Sequence, residues 1–143
     1  MGNGKVCPYN ILIPKRLIFK MKLLLLIGTG SFVGGITRYL LSQVIQNRMF
    51  TTFPFGTLVV NITGCFLIGL IFGLSERGNV NLEWRLFLAT GILGGFTTFS
   101  AFSNESVAMI RDGQWWHAFA YISISVFVGL LATFTGLSLI KLF

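Results

Sequence analysis

An apolar stretch long enough to cross a membrane is interrupted by glycines and hydroxyl side chains. Residues 91–103 read GILGGFTTFSAFS and lie inside a longer apolar segment at 84–110. The hydrocarbon core holds no water, so a weakened helix is tolerated there only where protein or a water-filled path covers the freed backbone groups. Broken helices at this depth often coordinate ions. The run therefore predicts a break in a membrane helix beside an ion pathway.

Four apolar segments account for most of the chain. They lie at 22–44, 55–74, 84–110 and 115–139, and each meets the requirement of about 20 residues for crossing the bilayer. Only 10% of the 143 residues are charged, whereas soluble domains carry about 25%. We predict an all-α, multi-pass protein of the cell membrane, with four transmembrane helices in one domain at 21–143. We do not expect an enzyme, because no nucleophile–base pair or metal-ligand cluster is placed together.

The formal charge is +7, and part of it comes from a basic start of the chain. The cations before Met21 are Lys5, Lys15, Arg16 and Lys20. The excess in the remainder is too small to indicate a nucleic-acid partner. We interpret residues 1–20 as an extension that is either disordered or not native, since Met21 opens the first span cleanly.

Basic residues at the membrane ends indicate how a chain inserts. Four spans place both termini on one side of the membrane. From Met21 onward, that side holds Lys22, Arg77, Arg85 and Lys141, and the other holds Arg38, Arg48 and Arg111. So small a difference predicts insertion in both orientations, whereas the basic extension would favour termini in the cytoplasm.

Polar and aromatic residues inside the spans are the candidates for function, because polar groups are costly there. Asn61 either bonds a neighbouring helix or donates to a passing anion. Phe99 and Phe102 are three apart on one helix face, and their positive ring edges can attract an anion, although such pairs often only pack. Glu105 is either a transport carboxylate or, being near the end of the third span, a residue that bonds a helix end or lies at the membrane interface. Arg38 either reaches the membrane interface, or is a fixed positive charge at a pore mouth or a structural anchor.

The fourth span carries a regular stripe at four-residue steps, formed by Tyr121, Ser125, Gly129 and Thr133. Its hydroxyls either bond back to carbonyls one turn earlier or line a polar path. Glycines four apart, at 30 and 34 and again at 69 and 73, predict helices that approach one another closely.

Three sequence blocks together resemble the CrcB/Fluc fluoride channels. They are GGITRY at 34–39, GTLVVNITG at 56–64 and GGFTTFSAF at 94–102, and the resemblance covers nearly everything after Met21. It implies a dual-topology homodimer of two antiparallel protomers, with two fluoride pores along the interface. It also implies a structural sodium ion, held by the backbone carbonyls of Gly94 and Thr97 at the break in the third helix.

The resemblance also assigns roles to residues of the pathway. It implies a pore amide at Asn61, ring-edge contacts at Phe99 and Phe102, and a polar track formed by Tyr121, Ser125 and Thr133. Family members often carry a serine where this chain has Gly129, so one hydroxyl of that track is missing here.

We therefore expect a passive, fluoride-selective channel that lowers the cytoplasmic fluoride concentration. Fluoride is strongly hydrated, and a conducting site must admit the ion yet release it. Neutral donors and aromatic edges meet both demands, and no nucleotide-binding motif is present to drive transport. Two other interpretations remain open: a small proton-coupled exporter of the multidrug type that uses Glu105, and a scaffold whose polar residues only join helices.

Overall fold

The computed structural model describes residues 15–142, which form four membrane-length helical segments. Three of them are single helices: α1 (Lys15–Arg48), α2 (Phe55–Glu76) and α6 (Trp115–Leu142). The third segment, Leu82–Arg111, is divided into several pieces. All four are long and apolar enough to cross a membrane, which confirms the predicted all-α class with four spans.

The first helix begins earlier than the predicted span. α1 starts at Lys15, so residues 15–20 continue the helix on the N-terminal side of Met21. Residues 1–14, with Lys5 and Cys7, lie outside the described part of the chain. The assignment of residues 1–20 as an extension stays a prediction.

The third segment is broken where the glycine- and hydroxyl-rich run predicts it. Its first half consists of α3 (Leu82–Arg85), a π-helical stretch at Leu86–Leu93 and the short α4 (Gly94–Phe96), and its second half is α5 (Phe99–Arg111). The chain between them is extended, with ψ of 154° at Thr97 and 115° at Thr98. Thr98 caps α5, because its Oγ1 accepts the N–H of Ala101 at 3.2 Å. The predicted break in the third membrane helix is therefore confirmed.

Close glycine contacts join the helices in pairs, α1 with the third segment and α2 with α6. A Cβ at Gly34 would collide with the Ile92 carbonyl oxygen, and one at Gly69 would collide with the Thr133 carbonyl oxygen. These glycines let two backbones meet, as expected of small residues in membrane helices. The close approach predicted from their spacing is confirmed.

The connection between α1 and α2 is held by the side chain of Gln46. Its Nε2 donates to the carbonyls of Thr51 at 2.8 Å and Phe53 at 3.1 Å, and its Oε1 accepts the N–H of Gly56 at 3.2 Å. The last bond satisfies one of the free N–H groups at a helix start. It thereby fixes where α2 begins.

Candidate functional site beside the broken helix

A cleft of about 380 Å³ lies beside the break, between α2, the third segment and α6. Most of its wall is apolar, with a few polar groups close together. Six residues singled out from the sequence line it: Asn61, Gly94, Thr97, Phe99, Phe102 and Ser125. The structure therefore brings most of the predicted site residues to one place, although they come from three separate segments.

Asn61 on α2 bridges the break. Its Oδ1 accepts the backbone N–H of Thr98 at 2.8 Å, and its Nδ2 donates to the Thr98 carbonyl at 3.1 Å. The amide thus replaces helical partners that Thr98 has lost. A primary amide carries two N–H donors, so one remains for another acceptor at the cleft. The helix–helix bond considered from the sequence is present, and it does not exhaust the donors of Asn61.

The carbonyls of Gly94 and Thr97 have lost the donors that a continuous helix would supply. Those donors would be the N–H groups four residues later, on Thr98 and Ala101. Instead, Thr98 donates to Asn61 Oδ1, and Ala101 donates to Thr98 Oγ1. Both carbonyl oxygens therefore have capacity for another partner, as a site for a hard cation requires.

Phe99 and Phe102 lie side by side at the start of α5. Their ring centroids are 5.6 Å apart and their planes are inclined by 45°. Phe102 also packs on the ring of Tyr121, with centroids 5.2 Å apart. Phe99 is 79% exposed, so its ring stands on the open side of the cleft.

Ser125 presents a hydroxyl without a bonding partner. Its Oγ is buried and makes no hydrogen bond to the residues that the structure describes, and the residue lines the cleft. A buried hydroxyl without a partner costs free energy, so such groups call for an explanation. Ser125 Oγ is an uncommitted donor at the wall of the cleft.

Tyr121 and Glu105 lie behind the cleft in a closed hydrogen-bond network. The Tyr121 hydroxyl donates to Glu105 Oε2 at 2.6 Å, and the Thr57 hydroxyl donates to Glu105 Oε1 at 2.6 Å. Tyr121 is completely buried, and neither it nor Glu105 is part of the cleft wall. The carboxylate therefore ties α5 to both α2 and α6.

Thr133 and Arg38 also lie away from the cleft wall. Thr133 Oγ1 donates to the carbonyls of Cys65 at 3.0 Å and Gly129 at 3.1 Å. Gly129 faces Cys65, whose Sγ would lie 3.4 Å from an added Cβ. Arg38 is half-buried on α1. The three hydroxyls of the stripe predicted along α6 therefore differ in their bonding. That of Tyr121 is bonded to a carboxylate, that of Ser125 has no partner among the described residues, and that of Thr133 is bonded to backbone carbonyls.

Two contributors were missed in the sequence: the hydroxyl of Thr57 and the backbone of Thr98. Thr57 lies one helical turn before Asn61, so its position on the same face of a membrane helix was a usable signal. The pairing of Thr98 with Asn61 left no such signal, because it depends on how two distant segments pack.

Four membrane-length helical segments, three of which line a cleft at a helix break, define a small multi-pass membrane protein and are compatible with a channel or transporter. Comparison with known proteins narrows this class. A family model described as "CrcB-like protein, Camphor Resistance (CrcB)" matches residues 25–137. The chain belongs to this family.

Three relatives from different organisms are each named "Fluoride-specific ion channel FluC". The protein of Flavobacterium psychrophilum is 50% identical over 122 residues, which are 85% of this chain and 98% of the relative. That of Thermus thermophilus is 44% identical, over 81% of this chain and 93% of the relative. That of Pyrococcus horikoshii is 42% identical, over 85% and 97%.

These relatives confirm two general predictions. They carry the name of an ion channel, so the prediction that the chain is not an enzyme is confirmed. Together with four apolar helices, the family also confirms a multi-pass protein of the cell membrane.

Proposed function

We propose that the chain is a passive, fluoride-selective channel that lets fluoride leave the cell down its electrochemical gradient and so lowers its cytoplasmic concentration. The names of the relatives support this function. The observation that carries it is the convergence of Asn61, the two phenylalanine rings and Ser125 at one cleft.

The chemistry of this cleft suits a small, strongly hydrated anion. Asn61 has a spare N–H and Ser125 a hydroxyl without a partner, so both can replace water around the ion. Phenyl edges are weakly positive and attract an anion without the strength of a full charge. The start of a helix carries a partial positive charge, and α5 begins at Phe99 in the cleft wall. Such neutral groups bind well enough to admit the ion and weakly enough to release it.

The functional unit in this proposal is a homodimer of two antiparallel protomers, with a pathway in each half. Phe99 is 79% exposed, and a ring that acts on an ion needs cover from lipid. A second copy against the open side of the cleft would provide that cover. The similar numbers of cations at the two membrane ends from Met21 onward are compatible with insertion in both orientations.

A structural sodium ion at the break is the cofactor in this proposal. The carbonyls of Gly94 and Thr97 are its ligands, since each has lost its helical donor, and hard cations prefer oxygen. Among the described residues, no group of three His, Cys, Asp or Glu side chains could hold a metal, and the proposed ligands are backbone oxygens. The cation would add fixed positive charge beside the anion path.

The other predicted residues take supporting roles. Ser125 is the uncommitted donor of the polar track, while Tyr121 and Thr133 continue it on either side through hydroxyls that already have partners. Glu105 holds Tyr121 in position. Arg38 is an anchor or a positive charge near the pore mouth.

The exporter interpretation finds less support. A coupling carboxylate has to meet the transported species, whereas both oxygens of Glu105 are bonded to hydroxyls behind the cleft wall. The relatives are named as channels.

The test is a fluoride-electrode assay on the purified protein in liposomes, with chloride efflux as the control. We expect fluoride efflux without an imposed proton gradient and little chloride efflux. Fluoride leakage no faster than from empty vesicles would refute the proposal, and efflux that requires a proton gradient would favour the exporter.

A further inference from the structure

Two ion pairs show which helix ends share one face of the membrane. Lys22 Nζ lies 2.7 Å from Glu83 Oε2, which joins the start of α1 to α3. Lys141 Nζ lies 3.3 Å from Glu76 Oε2, which joins the end of α6 to the end of α2. The start of α1, the end of α2, α3 and the end of α6 therefore lie at the same end of the molecule.

Four further cations at this end have no acidic partner among the described residues: Arg16, Lys20, Arg77 and Arg85. We call these four residues the basic end. The chain has only four Asp and Glu residues. Glu76 and Glu83 are engaged by lysines, and Glu105 is bonded to two hydroxyls inside the bundle. The fourth, Asp112, follows α5 at the opposite end of the molecule.

The basic end lies where lipid headgroups would be. Lys22 is at the edge of the apolar segment, and a rise of 1.5 Å per residue puts Lys20 about 3 Å and Arg16 about 9 Å further out along α1. Phe19, between them, is 47% exposed, and Trp84, next to Arg85, is 57% exposed. Exposed aromatic side chains beside cations are typical of the membrane–water interface.

We propose that the basic end is a binding surface for anionic phospholipid headgroups. Uncompensated Lys and Arg side chains at the interface are attracted to anionic lipids, and the planar guanidinium of Arg matches the geometry of a phosphate. The opposite end carries a smaller net positive charge, because only three cations, Arg38, Arg48 and Arg111, lie there and Asp112 accompanies them. Because the basic end is the more positive of the two, we expect anionic lipids to bind there in preference to the opposite end. This binding does not depend on which ion the cleft conducts.

The test compares lipid retention by the purified full-length chain in detergent. The probes are dioleoylphosphatidylglycerol and dioleoylphosphatidylcholine, and native mass spectrometry counts the bound lipids. We expect the parent to retain phosphatidylglycerol preferentially, and removal of two charges in R16Q/K20Q to weaken that retention about 30-fold. The matched control at the opposite end, R48Q/R111Q, is expected to stay within about twofold of the parent.

A second pair of changes, R77Q/R85Q, covers the case in which the first variant does not fold, as judged by circular dichroism and size-exclusion chromatography. It removes the other two charges of the basic end and is expected to lower retention similarly. Equal retention of the two lipids by the parent would overturn the proposal. An equal loss of phosphatidylglycerol in R48Q/R111Q and in the basic-end variants would overturn it as well.

Discussion

Tyr121 and Ser125 lie one turn apart on α6, and their hydroxyls are in opposite situations. The Tyr121 hydroxyl is buried in a network with Glu105 and Thr57, where both carboxylate oxygens have a donor. The Ser125 hydroxyl is buried at the cleft wall and has no partner in the described part of the chain. The same sequence pattern has therefore produced a closed network and an open donor.

The difference separates groups that hold the helices from groups that can serve an ion. A hydroxyl with a partner contributes about 1 kcal/mol to stability and has little left to offer. A hydroxyl without one adds no such stability, and it can replace a water molecule of a passing anion. Asn61 belongs to both categories, because it bridges the break and keeps an N–H free.

The largest effect is expected where the two roles coincide, at Asn61. Asn61→Asp removes the donor to the Thr98 carbonyl and places a negative charge on the anion path. We expect fluoride efflux to fall about 100-fold, because the lost bond and the repulsion together cost a few kcal/mol. The measurement is electrode-monitored efflux at a matched protein-to-lipid ratio.

Asn47→Asp is the control for this change, because it adds the same charge at an exposed position near the end of α1. It should leave efflux close to that of the parent. Equal rates for Asn61→Asp and the parent would remove Asn61 from the pathway.

The closed network is tested by Tyr121→Phe. The change leaves one oxygen of Glu105 without its donor, so we expect a loss of about 1–2 kcal/mol in stability, read from unfolding by sodium dodecyl sulfate. Efflux per folded channel should change less than in the Asn61 variant. Tyr39→Phe removes a hydroxyl at a position that is 60% exposed, and it should have no effect on stability. An unchanged stability of Tyr121→Phe would show that the network does not hold the helices.

The open donor is tested by Ser125→Ala. Because the change removes no hydrogen bond and takes away a buried hydroxyl without a partner, we expect stability equal to that of the parent or higher by about 1 kcal/mol, and fluoride efflux lowered several-fold. Thr133→Val is the matched change on the same helix, at a hydroxyl bonded to two carbonyls. It should lower stability more than Ser125→Ala and efflux less. The reverse order would mean that the bonded hydroxyls, rather than the free one, serve the ion.

The smallest effect is expected for Gly129→Ser, which supplies the hydroxyl that the resemblance to the fluoride channels implies at this position. An added Cβ would lie 3.4 Å from Cys65 Sγ, close to an ordinary contact, so the serine fits with little adjustment. We expect efflux within about twofold of the parent. A large gain would show that the missing hydroxyl limits conduction in this chain.

The four spans and the break could be predicted from the sequence because they follow from composition. Membrane length, glycine content and hydroxyl content are local properties, and the break falls within the predicted run at Thr97 and Thr98. The partners of Asn61 and Glu105 could not be predicted in this way. They lie 37 and 48 residues away in the chain, and only helix packing decides which groups meet.

The different bonding of the three hydroxyls in the α6 stripe could not be predicted from the sequence either. Periodicity places Tyr121, Ser125 and Thr133 on one face, but it does not say which hydroxyl finds an acceptor. The helical start at Lys15 was not predicted either, because the membrane-span criterion is hydrophobic length, and a helix can continue beyond the bilayer.

The central claim is that fluoride passes through the cleft beside the break, in contact with the two phenyl edges. The most direct measurement is fluoride efflux from liposomes for Phe99→Ile and Phe102→Ile, with protein content and dimer fraction matched to the parent. Isoleucine keeps the position apolar and removes the positive ring edge. We predict that both variants lose most of the efflux of the parent; rates equal to the parent in both would contradict the claim.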